Sequence, residues 1–350
     1  MTVRRLTAPP RLPLVLARGA LASRSKRGPY EQARLPGERL VLPDARIDAG
    51  RLRAYARVCG FDGGTGPGAQ RPDEGPGTVS GGPPGGPQGG GPAGGSGTPA
   101  ASPVPPTYPH ILSFPLAMQL MARPDFPFPM LGLVHTGIEL TQHRALRPED
   151  RPEISVYAEG PAPHRRGSTF DVVTEARLGG RLVWHSRSTY LCRHRTADTS
   201  GEGPGSRGGT RRDDEAEAAA APLPLREQWD LPSGLGRRYG RASGDRNPIH
   251  LHPLTAKLFG FPRHIAHGMW TFARSLAATG AAAGGEQLTA RAEFKAPVPL
   301  PSAVTHHADE PTASAGGYRA PVRVHRFELR SGDGERQRLH LTGEVTSERP

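Results

Sequence analysis

The sequence predicts an α+β fold built twice over. Helical apolar spacing followed by a run of alternating strands occurs once in the first part of the chain and again in the second. Two Gly/Pro/Ser-rich tracts interrupt that pattern and divide the chain around it. Of the 350 residues, 46 are glycine and 39 proline. Their clustering makes the ordered part shorter than the whole, yet still long enough for a sizeable core.

Taken in order, residues 1–39 read as an N-terminal arm. Met1-Thr-Val-Arg4-Arg5 is basic, and the apolar run Leu12-Pro-Leu-Val-Leu-Ala17 is too short and too Pro-broken for a leader. Residues 40–195 form the first α+β unit. Leu52, Tyr55, Ala56 and Cys59 follow helical spacing after Asp48, and Gly60 reads as a stop. Residues 62–106 cannot bury enough apolar surface to order themselves and read as a disordered insertion. A second helix starts at Tyr108 and runs to Met121. Strands follow over 131–140, 153–157, 168–174 and 181–191, the last three alternating and rich in β-branched or aromatic residues. Residues 196–222 read as a flexible linker. Residues 223–350 repeat the order, with a helix from Met269 to Thr279 and strands over 288–294, 302–306, 318–329 and 338–346.

The formal charge is +12, and nearly all the cations are arginine. That excess suits an acidic partner, but GC-rich codon usage produces the same bias along with the Ala, Gly and Pro. The basic residues form no ordered stripe with interleaved aromatics, so nucleic acid is not expected as a partner. Cys59 and Cys192 match no zinc or redox spacing and fit a reducing, cytoplasmic setting. No stretch approaches the apolar length of a membrane-spanning helix, so no membrane partner is expected.

Chemistry concentrates in Tyr239-Gly-Arg-Ala-Ser243-Gly244-Asp245-Arg-Asn247-Pro248-Ile-His250 and, shortly after, Phe261-Pro-Arg-His264-Ile265-Ala-His267-Gly268-Met269. Gly244 permits a turn, and Pro248 removes a donor and pushes Asn247 towards an extended backbone. A carboxylate, a carboxamide and an imidazole are thereby gathered on one loop, where a carboxylate beside an imidazole can take a proton from water and return one to carbon. Gly268 stands where a helix start would direct unpaired N–H groups at an oxyanion. Blander readings exist. Asp245 alone would be an Asx turn. His250-Leu-His252 and His264-x-x-His267 suggest zinc, although no cysteine lies nearby. Trp270, Phe272 and Leu276 read as core or as the wall of a substrate tunnel.

Ser-Gly-Asp-x-Asn-Pro-x-His, then Gly-Phe and Ile-Ala-His-Gly-Met, resembles the signature of the MaoC-like, R-specific enoyl-thioester hydratases and dehydratases. The resemblance is close over residues 235–278 and looser through Phe294-Lys-Ala-Pro297-Val298. It implies two hot-dog repeats, each an antiparallel sheet wrapped around one long helix. It also implies hydration of trans-2-enoyl thioesters to (3R)-3-hydroxyacyl thioesters, or the reverse dehydration, by a hydro-lyase. Asp245 and His250 match the catalytic pair and Asn247 the residue that places the water or the pair. Gly268 matches the donor to the thioester carbonyl, while Ser243, Gly244 and His267 support that substrate-binding region. No cofactor and no metal is implied, because the thioester already acidifies C2. Coenzyme A or an acyl carrier protein would carry the acyl group, and the arginine excess would suit either. A monomer holding its own pseudo-dimer, or a homodimer of it, is implied. His252 departs from the acidic residue common at its position. The alternative is a catalytically silent acyl-thioester-binding hot-dog protein, or the partner subunit of another dehydratase.

The first unit carries His110 after Tyr108-Pro109, and His135 in Leu-Val-His-Thr-Gly137. Both echo the second unit faintly. Pro105-Pro106-Thr107 stands where the acidic residue would be expected, so this half reads as a degenerate repeat without chemistry. The alternative is that the two halves are unrelated α+β units.

Overall fold

In the computed structural model, the described residues are 1–28, 30, 33–62, 69–70, 103–195, 221–281, 287–314, 322–332 and 337–348. The first half runs β1 (Thr2–Arg5), α1 (Leu12–Ser23), β2 (Glu38–Leu42), α2 (Ala49–Cys59), β3 (Ala69–Gln70) and α3 (Tyr108–Met121). It continues through β4 (Leu133–Gln142), β5 (Glu153–His164), β6 (Gly167–Leu178) and β7 (Arg181–Arg193). The second half runs β8 (Leu225–Leu231), α4 (Leu235–Ser243), α5 (Pro248–Leu251), α6 (Pro253–Leu258) and α7 (Gly268–Ala278). It closes with β9 (Leu288–Phe294), β10 (Ser302–Ala308), β11 (Thr312–Ser314), β12 (Val322–Ser331) and β13 (Arg338–Glu348).

These strands form one 13-stranded sheet in the order β1-β2-β5-β6-β7-β4-β9-β13-β12-β10-β8-β3, with β11 on β12. The duplication is visible in that order. In the first half the strands lie β2-β5-β6-β7-β4, and in the second β8-β10-β12-β13-β9. Each half therefore places its first strand at the outside, its third, fourth and fifth in sequence, and its second at the centre. The two second strands, β4 and β9, pair antiparallel from Gly137↔Glu293 to Gln142↔Leu288 and fuse the halves. Each half also puts its long helix, α3 or α7, between its first and second strands. This is a double hot-dog arrangement, α+β as the sequence predicts.

The helices are buried for reasons written in their composition. α3 is apolar on all sides, which a helix tolerates only inside a core; Leu116 and Leu120 are fully buried, as are Phe272 and Leu276 of α7. α2 begins where expected, with the Asp48 carboxylate accepting from the Arg51 N–H at 2.7 Å, and ends at Gly60. Halves are stitched by Trp270 Nε1, which donates to the Val58 carbonyl at 2.8 Å. Arg274 of α7 reaches back to the Gly60 backbone while ion-pairing with Glu227 at 2.8 Å.

Two boundaries need correction. Residues 1–39 are not a detached arm: β1 pairs in parallel with β2, Val15 is buried, and Leu6, Leu12 and Leu16 pack on the core. The insertion is also shorter at its C-terminal end than 62–106. Val104 is buried, the Pro106 carbonyl accepts from Trp184 Nε1 at 2.7 Å, and Thr107 Oγ1 accepts from the Tyr55 hydroxyl at 2.9 Å. Proline there supplies an acceptor and needs no donor partner, which is how a Pro-rich stretch can enter a core. The remainder of the expected insertion, apart from Asp62, Ala69, Gln70 and Pro103, and the expected linker over 196–220 lie outside the described residues.

Candidate active site

The signature folds as helix, tight turn, short helix. α4 ends at Ser243, and Gly244 takes the left-handed conformation at φ 86° that closes it. The Ser243 hydroxyl then accepts from the Asp245 N–H at 3.1 Å, and Asp245 Oδ1 accepts from the Asn247 N–H at 3.1 Å. Asn247 caps α5 by accepting from the Ile249 N–H at 3.4 Å, with Pro248 in the first helical turn. The carboxamide oxygen of Asn247 thus holds the loop that presents Asp245 and His250. His252 caps α6 in the same manner, Nδ1 accepting from the Leu254 N–H at 3.2 Å, and it is exposed.

Two glycines let the loop lie directly on α4. A Cβ at Gly236 would sit 2.0 Å from the His250 carbonyl oxygen, and one at Gly240 2.7 Å from that of Asp245. Backbone packs on backbone here, and only glycine allows that approach.

The two histidines are aimed by backbone carbonyls. His250 Nδ1 donates to the Ile265 carbonyl at 2.8 Å, which leaves Nε2 as the unprotonated nitrogen of the neutral ring. His267 Nε2 donates to the Asp245 carbonyl at 3.0 Å and lies 3.9 Å from Asp245 Oδ2. Burial lowers the pKa of His250, opposed by the nearby Asp245 carboxylate. Burial lowers His267 further, with the His250 ring adding to the effect. Both imidazoles are therefore neutral near pH 7. Asp245 is 27% exposed and marks the open side of the site.

A carboxylate oxygen of Asp245 and one ring nitrogen each from His250 and His267 lie within 4.8 Å of one another. Among the described residues these three could hold a cation. The same spacing also suits one water molecule bridging a carboxylate and an imidazole. Of the other two candidate zinc ligands, His264 donates Nε2 to the Ser233 carbonyl at 2.8 Å and His252 caps α6, so neither takes part in the cluster.

Gly268 begins α7, so its N–H has no intrahelical acceptor. A Cβ there would sit 3.1 Å from the Phe294 ring, which leaves little room for a larger residue. The structure thus brings Asp245, Asn247, His250 and His267 together at one loop and places Gly268 next to His267. Ser243 and Gly244 act on the loop from beneath.

Residues of the first half reach the same place. Phe294 lies 5.0 Å, centroid to centroid, from His135, which stacks on Tyr190 at 4.7 Å and faces His110 at 6.1 Å. Burial pushes His110 down to about 4, with Asp245 pulling the other way. Burial and then the Asp245 charge raise the pKa of Tyr190. His135 falls to about 3 by burial, and its Nε2 is shut off from solvent without a hydrogen-bond partner. Arg51 of α2 donates to the Ala242 carbonyl at 3.3 Å and the Ser243 carbonyl at 3.0 Å, pinning the end of α4. Sequence reasoning missed Arg51 and Tyr190, and nothing in their local sequence marks them.

The comparison of His110 with His250 also needs revision. α3 is the topological equivalent of α7, so His110 stands opposite the start of α7 rather than opposite the loop. The true counterpart of Tyr239-Gly-Arg-Ala-Ser243-Gly244 is Tyr55-Ala-Arg-Val-Cys59-Gly60, and the rings of Tyr55 and Tyr239 meet at 5.9 Å. The insertion follows Gly60 where the second half has its Asp245–His250 loop.

A groove of about 470 Å³ along α1, lined by Ala17, Ala20, Leu21, Pro129 and Leu131, contains none of these groups.

With the geometry in place, the chain can be set beside known proteins. Residues 226–321 match the model of the MaoC like domain. The chain carries a MaoC-like domain. That domain begins in β8 and contains the whole Asp245–Gly268 region. The 3-hydroxyacyl-thioester dehydratase X of Mycobacterium tuberculosis (strain ATCC 25618 / H37Rv) is 40% identical over 174 residues, half of this chain and 59% of that protein. The match thus spans less than two thirds of that relative's length. The crystal structure of HtdX from Mycobacterium tuberculosis superposes with a TM-score of 0.61 at 29% identity, covering 88% of this chain and 99% of that one. A further MaoC-like dehydratase structure superposes at 0.57 over 88% of this chain and 96% of its own, and at 16% identity it speaks for the fold. The MaoC-like domain is therefore set in a scaffold shared along nearly the whole length of a solved relative. Among the described residues no helix is long and apolar enough to cross a membrane.

Proposed function

We propose that the protein is a hydro-lyase that interconverts trans-2-enoyl thioesters and (3R)-3-hydroxyacyl thioesters. The observation that carries this reading is the approach of the Asp245 carboxylate to one ring nitrogen each of His250 and His267 within 4.8 Å, with Gly268 at the start of α7 directly after His267. The name of the Mycobacterium relative, a 3-hydroxyacyl-thioester dehydratase, points to the same class of reaction.

In the hydration direction, one water sits between Asp245 and His250. The pair takes a proton from it as its oxygen bonds to C3. The electron pair of the C2–C3 double bond moves towards the thioester, whose carbonyl oxygen gains charge and accepts from the Gly268 N–H at the start of α7. The proton held by the pair then passes to C2, and the carbonyl is restored. One water supplies both the hydroxyl and the hydrogen, and dehydration retraces the path. The (3R) hand is what the family resemblance implies. Asn247 and His267 position the pair, Asn247 through the cap of α5 and His267 through the Asp245 carbonyl. No step needs a metal ion or a cofactor.

The test is hydration of crotonyl-CoA, followed as loss of the enoyl-thioester absorbance, in wild type and Asp245→Asn. The expected result is an active wild type and a loss of at least about a hundredfold in kcat for the variant, the scale of one acid–base group. Full activity in Asp245→Asn would remove Asp245 from the chemistry. An inactive wild type would favour a silent thioester-binding protein.

A further inference from the structure

Next to the catalytic loop lies a surface that the proposed reaction itself does not use. α6 follows α5 immediately and is tied to it, Thr255 Oγ1 donating to the Pro248 carbonyl at 2.7 Å. Its apolar side chains nonetheless face solvent: Leu254 is 66% exposed and Leu258 83%, with Phe259 beyond them at 37%. Isolated exposed leucines are ordinary, but a cluster rimmed by charge marks a contact surface.

The flanking sequence is of one sign. Between residues 234 and 263 the chain has Arg237, Arg238, Arg241, Arg246, Lys257 and Arg263, and Asp245 as the lone acid. Arg237 lies against this unit, donating to the Leu251 carbonyl at 3.1 Å, and Arg263 holds the Pro301 carbonyl at 3.2 Å. Lys257 projects from α6 itself, and Arg246 is exposed next to Asp245 at the open side of the site. None of these four cations is ion-paired among the described residues.

We infer that the exposed face of α6 docks a small acidic acyl carrier protein, which delivers the thioester past Asp245. The inference rests on the thioester reading above and adds the carrier. A protein partner would bury Leu254 and Leu258 while its carboxylates meet the surrounding cations. Coenzyme A would use the cations and leave the leucines in water. A second copy of the chain would bring like charge against like charge.

The experiment compares crotonyl-carrier protein and crotonyl-CoA as substrates for wild type, Leu258→Asp and Lys257→Glu. Leu21→Asp on α1 serves as the control for an exposed leucine elsewhere. Binding of the holo-carrier protein alone is measured by titration at low and high salt. Expected is a fall of about tenfold or more in kcat/KM for the carrier-protein substrate in both α6 variants, the loss typical of an interface anchor, expressed mainly in KM. Activity on crotonyl-CoA should change by less than about twofold in the same variants, Leu21→Asp should match wild type, and salt should weaken carrier binding. An equal loss on both substrates, no loss on the carrier-protein substrate, or binding of anionic vesicles in place of the carrier would overturn the docking inference. Wild-type activity on crotonyl-CoA without any use of the carrier protein would also overturn it while leaving the hydratase reading intact. Inactivity on both substrates would remove the two together.

Discussion

The rings of His250 and His267 stack with centroids 3.7 Å apart, and each imidazole commits one nitrogen to a backbone carbonyl. The stack leaves His250 with a fixed plane and a fixed tautomer. It leaves His267 as a buried brace between its own helix start and the Asp245 backbone. Replacing His267 by Phe keeps a ring for the stack and removes the donor. The expected result is a fall of about fivefold in kcat, the worth of one hydrogen bond of roughly 1 kcal/mol, with KM changed little. Loss in KM alone would place His267 in substrate binding instead.

The acid side of the pH profile follows from His250. Its burial lowers the pKa below the ordinary 6.5, and the proposed role as proton acceptor requires the neutral ring. The neutral ring therefore persists to lower pH than an ordinary imidazole, and the acid limb of kcat/KM should be centred below pH 6.5. A profile of kcat/KM for crotonyl-CoA hydration checks this. An acid limb centred at or above 6.5 would show that another group limits the reaction.

Arg51 should behave as part of the site although it lies in the other half of the chain. Arg51→Ala removes the donors to the Ala242 and Ser243 carbonyls that hold the end of α4. Those carbonyls are reached by water once the side chain is gone, so the stability cost is modest, about 1 kcal/mol. The looser turn should cost more in rate, about tenfold in kcat, because Asp245 follows it directly. Thermal melting and steady-state kinetics on one preparation separate the two effects.

Gly236→Ala tests the close packing of the loop on α4. A methyl group 2.0 Å from the His250 carbonyl oxygen cannot be accommodated without moving backbone. Overpacking of this kind costs about 1–3 kcal/mol, and the variant should both melt earlier and lose activity. An unchanged melting temperature would mean that α4 and the loop slide apart freely.

Glu227→Ala would strand the buried Arg274 guanidinium, which also lies 4.5 Å from the centroid of the Trp229 ring. Removing one partner of a buried ion pair costs about 3–5 kcal/mol, so Tm should fall by several degrees with the kinetic constants of the surviving folded enzyme unchanged. Rescue by the paired change Glu227→Leu with Arg274→Met would show that the pair is replaceable by apolar contact.

Much of this molecule is legible in the sequence because its signals are local. The helices at Asp48–Gly60 and Tyr108–Met121, the four main strands that follow each long helix and the turn at Gly244 each follow from a few neighbouring residues. β1 and α1 were not legible: Thr2–Arg5 is a short basic strand paired in parallel, and α1 owes its place to packing against the core. β8 escaped notice because the charged residues between Leu225 and Leu231 dilute its alternation, leaving Trp229 and Leu231 as its inward anchors. At the site, Asp245, Asn247, His250 and Gly268 announce themselves through spacing. Arg51, Tyr190 and the packing role of Gly236 depend on contacts across the chain, and no local pattern encodes them.

The shared strand order of the two halves carries a last consequence. A pair of identical subunits joined through β4 and β9 would present two equivalent loops and two equivalents of titratable catalyst. Here the matching helix of the first half ends at Gly60, and among the described residues one Asp–His cluster, that of Asp245, His250 and His267, is present. Labelling or active-site titration should count one site for every 350 residues. The binding curve of one chain should be hyperbolic, because the described residues offer no twin cluster to which it could be coupled. On the proposed reading, the duplication divides labour within one chain, one copy of the scaffold giving support and the other turnover.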